Sequence, residues 1–237
     1  VPQEYLDIKD KLLELHAVTE LRENAIGDAV LYGEYDLVYS DLYDVIRDFI
    51  QRYTRPERGK AVYYHIGKKQ NIHRRSQLSR LLSNICNNVY CYTPVINNEV
   101  INKNELTTTA INSSHKVLSA ILRTEVEPEL GLTGTGQDVS IMRSALIRTG
   151  ILIGDDHSQI NLRPDDVNMR HLLATIENFI LEARQKPMSF SVLYERLTSP
   201  SGQIGLRRGV IPIYLASVIH NCRQQITISN DNWSVTA

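Results

Sequence analysis

Residues 167–184 read Val167-Asn168-Met169-Arg170-His171-Leu172-Leu173-Ala174-Thr175-Ile176-Glu177-Asn178-Phe179-Ile180-Leu181-Glu182-Ala183-Arg184. Leu172, Leu173, Ile176, Phe179, Ile180 and Ala183 recur at intervals of three and four, the spacing that lines one face of an α-helix. Asp165-Asp166 stands where an N-terminal cap belongs, and Lys186-Pro187 ends the pattern. Downstream, Ser191–Thr198 predicts a short helix, Pro200–Gly205 a loop, and Arg208–Cys222 a third helix with Pro212 in its first turn. Ile226-Thr227-Ile228 and Trp233-Ser234-Val235 then read as a hairpin across Asn230-Asp231. Three helices followed by a hairpin is the element order of a winged helix. A break is expected at Gly154-Asp155-Asp156-His157-Ser158, where turn residues cluster. The expected domains are therefore 1–154, helical, and 155–237, winged-helix-like.

The first half has the same period. Leu6, Ile8, Leu12, Leu13, Leu15, Val18 and Leu21 predict an amphipathic helix closed by Asn24 and Gly27. A second helix is predicted from about Asp36 to Tyr53, with Leu37, Leu42, Val45, Ile46, Phe49 and Ile50 inward and Asp41, Asp44 and Asp48 outward; Arg55-Pro56-Glu57-Arg58-Gly59 stops it. Ala61–Ile66, rich in β-formers and followed by Gly67, is the one strand predicted in this half. Helical spacing returns over His73–Asn88, Thr107–Arg123 and Asp138–Arg148, and Pro94 forces an extended approach to the stretch that follows it. The fold class expected is mainly α, a helical domain with a short strand element plus the C-terminal winged-helix-like unit.

Composition excludes several classes. Hydrophobic residues are 42% and charged residues 22% of 237, values of an ordinary globular chain. No apolar run approaches the roughly 20 residues of a bilayer span, and the first residues lack a signal-peptide pattern. A soluble, cytoplasmic protein with no membrane partner is expected, and an opening Val1 is what a piece of a longer chain would have. Cys86, Cys91 and Cys222 lack both a disulfide framework and a zinc spacing.

No phosphate-binding Gly-x-x-x-x-Gly-Lys-Ser/Thr string occurs. The glycine-rich run Gly131-Leu132-Thr133-Gly134-Thr135-Gly136 reads as a loop capping the next helix. The seven histidines show no metal spacing, and Ser144, Ser189 and Ser201 lack a nucleophile elbow. Asp155-Asp156-His157 reads as a solvated turn. No catalytic residue, no metal and no cofactor is expected.

The net charge of −1 conceals a gradient. Residues 1–50 carry 4 Lys/Arg against 12 Asp/Glu, and residues 51–130 carry 12 against 6. Lys68, Lys69, Arg74, Arg75 and Arg80 follow one another with no acid between, the composition that phosphate backbones attract through counterion release. The alternative is a solvated helix start that balances the acidic first fifty residues, or a contact with a protein partner. Arg207 and Arg208, at the start of the third C-terminal helix, form a second candidate phosphate contact, beside an apolar face that reads as core.

Two strings resemble a known family. Thr93-Pro94-Val95-Ile96-Asn97-Asn98-Glu99-Val100-Ile101-Asn102, followed by Leu106-Thr107-Thr108-Thr109-Ala110, resembles a pattern of large bacterial P-loop ATPases, including those of phage-defence islands of the BREX kind. Leu193-Tyr194-Glu195-Arg196-Leu197 and Ile204-Gly205-Leu206-Arg207-Arg208-Gly209-Val210-Ile211-Pro212-Ile213 are similar to a segment that follows it there. The resemblance implies a region beside an ATPase core, without the Walker motifs, so ATP turnover carries over to no residue here. Asn97-Asn98-Glu99 would then be a structural turn or a partner contact. The function expected is a non-catalytic interaction or nucleic-acid-associated module of a larger bacterial ATPase. The alternative is a self-contained winged-helix DNA-binding regulator.

Overall fold

Helical periodicity dominates the folded chain as it dominates the sequence. The computed structural model describes residues 3–58, 61–230 and 233–236. The protein is mainly α-helical, its strands are short, and it forms two compact units, Val1–Ile85 and Cys86–Ala237.

The first unit is built on two long helices, α1 (Gln3–Asn24) and α2 (Ala29–Thr54). Asp28 starts α2, its carboxylate accepting the backbone N–H groups of Val30 and Leu31 at 3.0 and 3.1 Å. The helix thus begins well before Asp36 and carries Gly33 inside it, at a cost that tertiary contacts override. Arg22 of α1 ties the pair together, with its guanidinium 5.0 Å from the ring centroids of Tyr32 and Tyr39 and 2.7 Å from Asp36. Ile8, Ala25, Leu42 and Ile46 are buried and Phe49 is half-buried. Leu37, Val45 and Ile50, expected on the inner face, are exposed instead. Leu37 departs from Leu42 by about 140° around a helix, too far to share a stripe. The acidic face is exposed at Asp41, Asp44 and Asp48, as the spacing required.

After a single 3₁₀ turn at Pro56–Arg58, strands β1 (Tyr63–His65) and β2 (Lys68–Gln70) pair antiparallel, Tyr63 opposite Gln70 and His65 opposite Lys68. Helix α3 (Arg75–Val89) follows. Gly59, in the expected stop of the second helix, lies outside the described residues.

The second unit surrounds one continuous core. It contains α4 (Thr108–Ile121), α5 (Gln137–Met142), the strands β3 (Leu152–Ile153) and β4 (Gln159–Ile160), α6 (Val167–Ala183), α7 (Phe190–Thr198) and α8 (Ile211–Cys222). Strands β5 (Thr227–Asn230) and β6 (Trp233–Thr236) pair as the expected terminal hairpin, while Asp231 of its turn lies outside the described residues. Leu172, Leu173 and Ile176 of α6 join Leu193 and Leu197 of α7, Ile211, Ile213 and Tyr214 of α8, and Val117 and Ile121 of α4 in the buried cluster. Asp166 caps α6 by accepting the N–H of Met169 at 2.6 Å, the capping role its position suggested.

Two expectations about this region need correction. The division at 154/155 does not coincide with a compact unit, because the core runs without interruption from Ile96 to Val218. Gly154-Asp155-Asp156-His157-Ser158 is the loop of the β3–β4 hairpin, closed by Leu152 opposite Ile160. A hairpin loop and a domain linker share the same polar, turn-forming residues, so composition alone cannot separate them. The second correction concerns α6–α8 and β5–β6. Their order matches a winged helix, but they share their core with α4 and α5 and form no unit of their own. A recognition helix needs an accessible face, and on α8 only Asn221 is exposed.

Candidate nucleic-acid interface

Tyr63 anchors the β1–β2 hairpin, its hydroxyl donating to the carbonyl of Tyr53 at 2.6 Å. Alternation along the strands then fixes which side chains share a face. Tyr64 lies opposite Lys69 on one face, and His65 lies opposite Lys68 on the other. Ile66 and Gly67 form the two-residue turn with φ of 48° and 70°. Such turns favour Asn-Gly, because both central residues need positive φ. Gly67 meets that requirement without strain. Ile66 does not: a β-branched residue in the left-handed region costs about 1–2 kcal/mol. Its side chain is nonetheless 85% exposed, and Tyr64 is 67% exposed.

The start of α3 is closed by side chains. Gln77 accepts the backbone N–H groups of His73 and Arg74 at 2.8 and 3.1 Å, and Glu57 accepts that of Arg75 at 2.7 Å. That N–H of Arg75, more than any other group, holds the Glu57 carboxyl below its ordinary value and keeps it an anion. The helix N–H groups are thus partly consumed, and a phosphate here would be met by side chains.

Lys68, Lys69, Arg74, Arg75 and Arg80 are all exposed, and among the described residues none of them forms an ion pair. They do not make one flat stripe. Lys68 and Lys69 point to opposite faces of the hairpin, and Arg75 and Arg80 diverge by about 140° around α3. By contrast, several cations of the second unit are engaged: Arg163 with Glu177 at 2.7 Å, Arg196 with Glu182 at 2.7 Å, and Lys116 with Asp138 at 3.2 Å.

Arg207 and Arg208 are exposed, but their backbone belongs to a clamp. The two strings quoted for the family resemblance meet there. Thr93 Oγ1 donates to the Ile204 carbonyl at 2.6 Å, Tyr92 N to that of Gln203 at 3.0 Å, and Gly209 N to that of Lys103 at 2.9 Å. A Cβ on Gly209 would strike the Ile101 carbonyl, and one on Gly205 would strike the Tyr90 ring. Lys103, which the sequence analysis did not single out, joins the neighbourhood of Arg207 and Arg208 through this contact. No local signal announces it, because its neighbours lie a hundred residues away.

In Asn97-Asn98-Glu99 the flanking Asn97 and Glu99 are exposed, and it is Asn98 that takes the structural role. Its side chain is buried, accepts the N–H groups of Val100 and Ile101 at 3.0 and 3.3 Å, and donates to Ser144 Oγ at 2.8 Å. Asn98 is thus the residue that holds the turn. Ser144 lies in the π-helical segment Arg143–Ile147 that continues α5, and donates in turn to the Ser140 carbonyl at 2.6 Å. A cavity of about 220 Å³ opens beside it, lined in part by Asn97, Arg148 and Asp166, below the size of ordinary small-molecule sites. Among the described residues no three His, Cys, Asp or Glu side chains converge as metal ligands, and no helix is long and apolar enough to cross a membrane.

Compared with family models, with characterised proteins and with solved structures, the chain matches none.

Proposed function

We propose that the chain is a non-catalytic, nucleic-acid-associated interaction module, one part of a larger bacterial ATPase in the phage-defence setting that the resemblance of residues 93–110 and 193–213 implies. The observation that carries the nucleic-acid reading is the set Lys68, Lys69, Arg74, Arg75 and Arg80, five exposed cations that form no ion pair among the described residues, with Glu57 held on the backbone of Arg75 as the one acid described beside them. Exposed cations concentrated in one short segment attract a phosphate backbone, which gains by releasing condensed counterions. The intramolecular alternative would balance these cations against acidic residues 1–50; the acids of α2 that do pair, Asp36, Asp44 and Asp48, take Arg22, Arg47, Arg52 and Arg58 instead. The mutual packing of the two family-like strings supports reading them as one structural feature. The rival reading, a winged-helix regulator, would need α8 in a groove, and the burial of α8 counts against it.

The test is a titration of duplex DNA at two salt concentrations, run beside a denaturant melt. Substituting both Arg74→Ala and Arg75→Ala is expected to weaken binding to all sequences alike. It should flatten the salt slope by about one unit per lost phosphate contact, with the melt unmoved. An unchanged slope with a lowered melt midpoint would show that these arginines serve the fold and not a phosphate.

A further inference from the structure

The β1–β2 hairpin carries a combination that phosphate binding alone leaves unexplained. Ile66 occupies a turn position whose positive φ suits Asn or Gly, and its side chain is almost wholly in solvent. Among the described residues no hydrogen bond or burial compensates the backbone strain or the exposed apolar surface. The cations flanking it lie on opposite faces of the same ribbon, Lys68 with His65 on one and Lys69 with Tyr64 on the other.

We infer that this hairpin tip enters the minor groove of duplex DNA, with Ile66 as an apolar wedge against a base step and Lys68 and Lys69 reaching the two opposed phosphate strands. The inference rests on the nucleic-acid reading above and goes beyond it by naming the ligand form and the inserting residue. Either groove of a duplex is flanked by one backbone on each side, so a ribbon with a cation on each face matches both in charge, and the apolar tip is what selects the minor groove, which must widen from about 6 Å to admit it. Proteins that use this groove insert Ile, Leu, Phe or Met between base steps, unstacking them and bending the duplex. The wide, shallow minor groove of A-form RNA offers no such walls, which makes DNA the fitting duplex. An apolar pocket on another protein would accept Ile66 as well. It would also need acidic residues on both sides of the pocket to meet the two lysines, whereas DNA supplies phosphates and stacked bases together.

The experiment uses the full chain and a short A·T-rich duplex carrying a fluorescent adenine analogue whose emission rises on unstacking. Ile66→Asn keeps the turn and relieves its strain. It should lower affinity roughly ten- to a hundredfold, the worth of burying one isoleucine side chain, abolish the rise in emission, leave the salt slope unchanged, and not lower the melt midpoint. Replacing Lys68 and Lys69 by Ala should instead flatten the salt slope. Wild-type affinity and emission in Ile66→Asn, with the lysine effect intact, would overturn the wedge and leave phosphate binding standing. Loss of the lysine effect as well, or no salt-dependent binding by the wild type, would overturn both. A wild-type emission rise that is equal on single-stranded DNA would also overturn the minor-groove assignment.

Discussion

The two units of this protein spend their apolar residues differently. In Cys86–Ala237 most of the large aliphatic side chains of α6, α7 and α8 converge on one core, and Leu172, Leu173, Ile176, Leu193, Leu197 and Ile213 have no exposed surface. In Val1–Ile85 the helices bury few, while Leu37, Val30 and Ile66 stand in solvent. Several cations of the second unit engage acids or carbonyls, as do Arg22, Arg47, Arg52 and Arg58 of the first, whereas those at 68–80 form no ion pair among the described residues. Burial stabilises, whereas exposed apolar and unpaired cationic groups remain available for another molecule. The second unit holds the larger buried core, and we propose that residues 63–80 of the first offer the surface on which a partner acts.

Truncating one leucine in each unit should separate the two most clearly. Leu172→Ala should lower the unfolding free energy by about 2–5 kcal/mol through lost burial and a cavity. Leu37→Ala should stay within about 0.5 kcal/mol, as surface changes do. Urea melts of the two variants measure both, and equal losses would erase the distinction. Asn98→Ala comes next in size. It leaves the N–H groups of Val100 and Ile101 without their acceptor, at about 1–3 kcal/mol, while the Ser144 hydroxyl keeps its bond to the Ser140 carbonyl. DNA affinity at constant salt should not change, because the Asn98 turn is structural and lies apart from residues 63–80 in the sequence.

The helices were legible because burial on one side imposes a period, and the period of residues 167–184 survives in α6 to within a residue of its ends. The caps were legible for the same local reason, as Asp166 demonstrates. What could not be read was pairing over long separations. The union of Thr93 with Ile204 and of Lys103 with Gly209 joins residues that no window spans. The place of α8 at the centre follows from its neighbours α4 and α6, and its own sequence fits a recognition helix of a smaller fold equally well. At the candidate interface the cations were visible as composition, but the faces they occupy depend on the register of β1 and β2. Ile66 escaped notice because only its φ distinguishes it from an ordinary strand residue.

Hydrogen exchange of the full chain with and without duplex DNA tests the division of labour most directly. The account predicts slowed exchange confined to the backbone amides of residues 63–80, with those of α6, α7, α8 and the 203–209 loop unchanged. Slowed exchange centred on α8 or on Arg207 and Arg208, with 63–80 unaffected, would contradict it and restore the C-terminal helices as the binding surface.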